Sequence, residues 1–299
     1  MNIIKHRKIF FIISAAVIIP GIISLFFNGL KLGIDFTGGS ELEIGVGKNV
    51  NLKVIKRIVE AKKIGVHNVV FSDGNSVVVR TEPITQKQKV EILQDLKKKY
   101  SDMHEESFDT VGPTIGSETA IKAIQAVILA SVAITLYIAF AFRAVSRPLS
   151  SWKYGVAAIV ALLHDVLLVM GAFSLFGYFL GVEIDTLFIT AILTVMGFSV
   201  HDTIVVFDRI RENLKKGTSE PFEETVNKSV FETFNRSLNT SLTVTMVLFA
   251  LLLFGGESVR WFVVALLIGI VSGTYSSIFN ASPLLVVWNE IDRRRSKRS

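Results

Sequence analysis

The chain has 299 residues, half of them apolar and 19% charged, and it carries no cysteine. A soluble domain of this length would carry more charge and no apolar runs of bilayer length, and the missing thiols exclude disulfides and thiolate metal sites. The net charge of +6 does not mark a nucleic-acid protein: residues 31–118 balance 13 Lys/Arg with 13 Asp/Glu, so the excess sits beside the apolar runs, where it signals membrane orientation.

A bilayer core of about 30 Å needs roughly 20 apolar residues in a helix. After a short N-terminus, residues 1–8, the first such run is 9–30, preceded by Lys5, Arg7 and Lys8. A cleaved signal peptide also begins with basic residues. This apolar stretch is long for one, however, and no Ala-x-Ala site follows, so a retained span is expected.

Residues 31–120 read as a folded domain outside the hydrocarbon. Leu42, Ile44 and Val46 alternate with Glu41, Glu43 and Gly45, the period of a strand. Leu52, Ile55, Ile58 and Val59 fall on one helical face. Strands over 66–71 and 77–80 flank Asp73-Gly74-Asn75, a hairpin turn signal. Thr85 and Gln88 make a capping box ahead of a helix carrying Val90, Leu93, Leu96 and Tyr100, and a weaker strand covers 104–111. The order β-α-β-β-α-β is that of a ferredoxin-like α+β fold. The domain has no clustered His, no phosphate loop and no nucleophile–base pair. It is expected to contact a polypeptide or a partner, and no metal or cofactor is expected.

Five more spans are expected within 121–288: 121–142, 155–177, 186–207, 238–254 and 261–288. The fifth is short and rich in Asn, Ser and Thr, and Pro283 is expected to kink the sixth near its end. Arg143, Arg147 and Lys153 lie between spans two and three. Arg209, Arg211, Lys215, Lys216, Lys228 and Arg236 lie between four and five, and the tail 289–299 holds Arg293, Arg294, Arg295, Lys297 and Arg298. The links 178–185 and 255–260 carry no Lys/Arg and one, respectively. Basic links alternate with neutral ones, so both termini are expected in the cytoplasm and the domain 31–120 on the far side.

Ionisable residues inside a span are costly and point to function. Two pairs occur, His164-Asp165 in span three and His201-Asp202 in span four. Ser199 and Arg209 share a helix face with Asp202, while Arg236, Thr240 and Thr243 align on span five, with Asn239 and Ser241 near them. Two readings of Asp202 stand open: an ion-loading carboxylate, or one half of a fixed pair with Arg236 tying spans four and five. For Asp165 a helix-tethering role is favoured, and either His could be a proton relay or only a hydrogen-bond partner. Gly269-x-x-x-Gly273, followed by Ser276 and Ser277, reads as a packing surface toward another span or another subunit.

Six segments carry a resemblance over nearly the full length. They are Gly33-Ile34-Asp35-Phe36-Thr37-Gly38-Gly39-Ser40, Val111-Gly112-Pro113-Thr114-Ile115-Gly116 and Leu163-His164-Asp165-Val166, then the stretches 202–212, 235–241 and 268–279. In this order they resemble the SecF family of the bacterial Sec protein-export machinery. The resemblance implies six transmembrane helices forming half of a resistance–nodulation–division type transporter, completed by SecD. It also implies work on unfolded secretory polypeptide at the SecYEG channel, with YajC and YidC nearby, in a cell membrane and with no enzymatic step. By the same resemblance Asp202 matches the family's transmembrane carboxylate and Arg236 its partner in an ion path, with His201 and Thr240 beside them. The family commonly has Asn where this chain has His201. Gly38 and Gly39 read as a rigid turn, a hinge into the outer domain.

Two other function classes compete with this one. An intramembrane aspartyl protease would need Asp165 and Asp202 as facing acids, and its Tyr-Asp and Gly-x-Gly-Asp signatures are missing. A small-molecule exporter of the same superfamily would carry both six-span halves in one chain.

Overall fold

The structure is a computed structural model that describes residues 3–47, 50–72, 76–142, 149–216 and 220–296. The chain divides into two units. One is a helical bundle of Met1–Lys31, Ala126–Val182 and Leu187–Ser299; the other comprises Leu32–Gln125 with Glu183–Thr186.

Helices α1 (Arg7–Asn28), α5 (Pro113–Ala141), α6 (Ser151–Leu180), α7 (Thr186–Lys215) and α8 (Phe222–Phe254) supply five apolar spans. The sixth joins α9 (Glu257–Ser276) to α10 (Ser282–Ser296) through a π turn at Ser277–Ala281. The protein is therefore a multi-pass membrane protein. The irregularity expected at Pro283 takes the form of this π turn just ahead of it, consistent with a ring that removes one helical hydrogen bond.

Span five is the clearest departure from expectation. Its apolar stretch is short, yet α8 runs 33 residues because Phe222, Val226 and Val230 bury an amphipathic first half ahead of it. Likewise α7 continues past its apolar part to Lys215, burying Phe207, Ile210 and Asn213. The two extensions are laced together: Arg209 reaches Glu232 at 2.6 Å, and Asn213 donates to Ser229 at 2.9 Å and to Glu232 at 2.7 Å.

Close backbone approach organises the bundle. A Cβ on Gly21 of α1 would stand 2.9 Å from the Cα of Gly171 on α6, so only hydrogen fits between these helices. A Cβ on Gly269 would run into the Val195 side chain, and one on Gly273 would meet the Ser199 Cα at 3.1 Å. The Gly269/Gly273 surface thus packs on span four.

In the second unit, strands β1 (Gly39–Gly45), β2 (Val66–Ser72), β3 (Ser76–Thr81) and β4 (His104–Val111) form an antiparallel sheet of order β2-β3-β1-β4. Helices α3 (Leu52–Glu60) and α4 (Gln86–Lys99) cover one face. This is the ferredoxin-like arrangement expected from the element order. Its core is Leu42, Ile44, Ile55, Val59, Val77, Val79, Ile92 and Leu96. Thr85 and Gln88 form the capping box at the start of α4, and Asn51 caps α3. The Asp73-Gly74-Asn75 turn lies outside the described residues. The unit also takes in Glu183–Thr186, from the link between spans three and four.

Candidate functional site

The bundle buries two carboxylates, and their surroundings differ. Asp165, on α6, is fully buried. Its Oδ1 accepts from Ser272 Oγ at 2.6 Å, and its Oδ2 from Ser199 Oγ at 2.6 Å and Ser276 Oγ at 2.7 Å. His164 Nδ1 lies 3.0 Å from Oδ1, while its Nε2 is buried without a partner. These hydroxyls come from α7 and α9, so one carboxylate pins spans three, four and six. The lengths match hydroxyl–carboxylate bonds, each offsetting roughly 1.5–3 kcal/mol of the cost of burial.

Asp202, on α7, is only 5% exposed. Thr274 of α9 donates to its Oδ2 at 3.2 Å and Ser241 of α8 at 3.5 Å, both long for a hydroxyl donor. Ser241 and Thr274 also bond to each other. Ser237, one turn before Ser241, turns a buried hydroxyl toward the same carboxylate without completing a hydrogen bond. Spans four, five and six therefore meet at Asp202 through few and stretched contacts.

Between the carboxylates runs a tight backbone-anchored link. Thr203 and Ser277 share a hydrogen bond of 2.8 Å, and Ser277 also donates to the carbonyls of Ser199 at 3.2 Å and Gly273 at 2.8 Å. Ser277, read as a packing residue, thus also ties spans four and six by hydrogen bonds. No hydrogen bond joins the two carboxylates among the described residues, and each has its own set of hydroxyl donors.

The other expected site residues fall elsewhere. Arg236 is exposed on α8, and among the described residues no ion pair links it to Asp202. A fixed Asp202–Arg236 pair is therefore not what holds spans four and five together. Thr240 is exposed and donates to the Arg236 carbonyl at 3.0 Å, while Thr243 donates to that of Asn239 at 2.7 Å. Arg236 and Thr240 thus lie on the outward face of α8, and the face meeting Asp202 is that of Ser237 and Ser241. His201 is exposed beside Asp202. Ser199, expected to share the face of Asp202, gives its hydroxyl to Asp165, and Arg209 is taken up by Glu232 and Glu212. The reading from sequence missed Ser272 and Thr274 as hydrogen-bond donors to the two carboxylates. Ser272 and Ser276, four apart on one helix, offered a signal for a shared hydroxyl face.

Gly38 and Gly39 lie in the second unit with φ of +73° and +135°, values that other residues rarely adopt. A Cβ on Gly38 would stand 2.7 Å from the Pro113 Cα, and one on Gly39 would stand 2.8 Å from the Thr81 carbonyl. The turn is fixed by backbone on both sides.

Comparison with known proteins places this arrangement. Residues 91–291 match the family described as protein export membrane protein SecD/SecF, C-terminal, and residues 23–50 match the SecD/SecF GG motif. The chain is 47% identical over 307 residues to the protein translocase subunit SecF of Thermobaculum terrenum, covering 98% of this chain and 95% of that one. It is 37% identical to the protein translocase subunit SecDF of Bacillus subtilis, covering 95% of this chain and 37% of the longer relative. The crystal structure of SecDF, a translocon-associated membrane protein from Thermus thermophilus, superposes with a TM-score of 0.83 at 33% identity; 97% of this chain corresponds to 39% of that one. The chain belongs to the SecD/SecF family of protein-export membrane proteins.

Proposed function

We propose that this chain is the SecF half of a protein-export unit, that a SecD-like chain completes it, and that it uses an ion gradient to advance secretory polypeptide. It acts without an enzymatic step of its own. The relatives' names support the export role, and the fused SecDF relatives support the SecD partnership. The alternation of basic and neutral links supports cytoplasmic termini and an outer ferredoxin-like domain.

The observation that carries the ion-driven part is the loosely held carboxylate of Asp202. A buried charge with two stretched hydrogen bonds gains by taking up a cation. Moving one elementary charge across 100 mV is worth about 2.3 kcal/mol, enough to bias a conformational cycle. Arg236 fits this reading differently from a partner of Asp202 in the same chain. It is a cation on the outward face of a span, where bare hydrocarbon is costly, so an acidic or polar group of the SecD-like half covers it.

The test replaces Asp202 with Asn and Arg236 with Met in cells that depend on this protein. Export of secretory proteins is compared with the amount of the chain in the membrane. Export is expected to fall more than tenfold in Asp202→Asn cells at unchanged abundance. Normal export there would remove the ion-driven reading.

A further inference from the structure

The turn holding Asp35 does more than connect span one to the outer sheet. In the four-residue helix α2 (Ile34–Thr37), the Asp35 carboxylate is aimed at the chain segment that opens span four. Its Oδ2 accepts from the Thr186 backbone N–H at 3.0 Å and from the Thr186 hydroxyl at 2.8 Å. Thr186 is the first residue of α7, so Asp35 satisfies one of the N–H groups that a helix start leaves without an internal partner. The cap on span four is thus supplied from elsewhere in the chain.

Two further contacts brace the same segment. Leu32 pairs with Ile184 as a parallel bridge, and Gly33 N–H donates to the Ile184 carbonyl at 2.9 Å. Arg80, in β3, donates from its guanidinium to Glu183 at 2.9 Å and to Glu41 of β1 at 2.6 Å. The four residues Glu183–Thr186 are thereby tied to the Asp35 turn and to two central strands of the sheet. On its other side the turn is locked, since Gly38 admits no Cβ against Pro113 at the start of α5. A movement of Thr186 has little slack to take up before it reaches the sheet.

The helix that begins at Thr186 is unbroken to Lys215 and carries Asp202 about 24 Å along its axis, at 1.5 Å per residue. A helix with its backbone bonds intact transmits an axial shift or rotation along that length. We propose that Asp35, backed by the Arg80–Glu183 pair, is the positioning residue that couples span four to the outer sheet, so that ion loading at Asp202 becomes movement of the outer domain. This inference rests on the export reading above. It assigns a mechanical role to the Asp35 side chain, beyond that of a rigid turn.

The test uses inverted membrane vesicles from cells dependent on this chain, with export and ion flux measured on the same preparation. Asp35→Ala is expected to lower export about fivefold, the factor that loss of one helix cap corresponds to, while gradient-driven ion flux stays at the parental level. Asp35→Asn keeps an oxygen that caps a helix as well as Asp does, and it is expected to export normally. Glu183→Gln, which keeps the segment but weakens its pull on Arg80, is expected to give a smaller export defect, again with flux retained. Parental export in Asp35→Ala would overturn the proposal, and so would export and flux falling together, which marks a purely structural role. Failure of Asp35→Asn to rescue would overturn it as well. Asp202→Asn in the same vesicles tests the underlying reading separately: unchanged export there removes ion-driven export whatever Asp35 does.

Discussion

Asp165 and Asp202 sit in the same bundle, each contacting hydroxyls of span six, yet they are held in opposite ways. Asp165 receives three hydroxyls at 2.6–2.7 Å and a neighbouring imidazole at 3.0 Å, which fills its oxygens and leaves no room for exchange. Asp202 receives two, at 3.2 and 3.5 Å. A saturated carboxylate is a fixed joint: removing it orphans several donors at once, and nothing about it invites a change of state. An under-coordinated one is stable only in part, so an incoming ion has something to improve. Burial alone does not distinguish a tether from a working group. The count and length of the donors do.

The sharpest way to break this contrast is at the joint. Asp165→Ala strands the buried hydroxyls of Ser199 and Ser272 and the His164 Nδ1, leaves Ser276 only its 3.2 Å bond to the Gly273 carbonyl, and is expected to cost about 3 kcal/mol. Unfolding of the purified protein in detergent would show it, as would a fall in membrane abundance. A loss below about 1 kcal/mol would mean that Asp165 is not the joint it looks to be. Asp202→Asn should behave in the reverse manner, with export down more than tenfold and stability moved by less than about 1 kcal/mol, because an amide can keep its two weak donors. If both variants lost stability alike, the two sites would be equivalent and the comparison would fail.

A smaller effect sharpens the same point with the ligands. Ser276→Ala removes a 2.7 Å bond to Asp165 and is expected to destabilise by about 1.5 kcal/mol. Ser241→Ala removes a 3.5 Å contact with Asp202 together with the bond to Thr274, and is expected to cost no more than about 1 kcal/mol while altering the ion dependence of export. The two measurements need only one denaturation series and one export assay at several ion concentrations.

Much of the architecture was legible in the sequence. Six apolar runs marked the spans because only a continuous helix can hide its backbone in lipid. The alternation at Leu42, Ile44 and Val46 and the Thr85 capping box marked the α+β fold, because period and capping are local. The ends of α7 and α8 were not legible, since apolar runs stop at the first charges while the helices continue on pairs such as Arg209–Glu232. Nor was the face of α8. Arg236 and Ser237 are adjacent, so one step around the helix decides which meets Asp202, and only the packing of spans four and six selects the serine. Ser272 and Thr274 read as small packing residues because nothing nearby in sequence says that a carboxylate of another span lies opposite. The attachment of Glu183–Thr186 to the sheet-bearing unit depends on partners 103 and 151 positions away, beyond any local pattern.

A carboxylate in water supplies the third point of the comparison and the smallest expected effect. Asp95, on α4, is half-exposed and pairs with Lys62 at 2.7 Å and Lys98 at 2.9 Å. The hydrogen bond from Lys62, then that from Lys98, holds its carboxyl down to about 2 from an ordinary value of 3.8. A carboxyl whose folded value lies below its unfolded one favours the folded state wherever it is ionised. That contribution is whole above about pH 4 and is lost as the pH falls toward 2. The stability of the parent relative to Asp95→Asn should therefore shrink across that window and stay flat from pH 5 to 8. Salt should weaken the difference, because the pair is solvated. Thermal unfolding at several pH values, with and without added salt, measures both. A difference that persisted at pH 2, or that ignored salt, would show that Asp95 acts through packing, and exposure would then be a poor guide to how a carboxylate works in this protein.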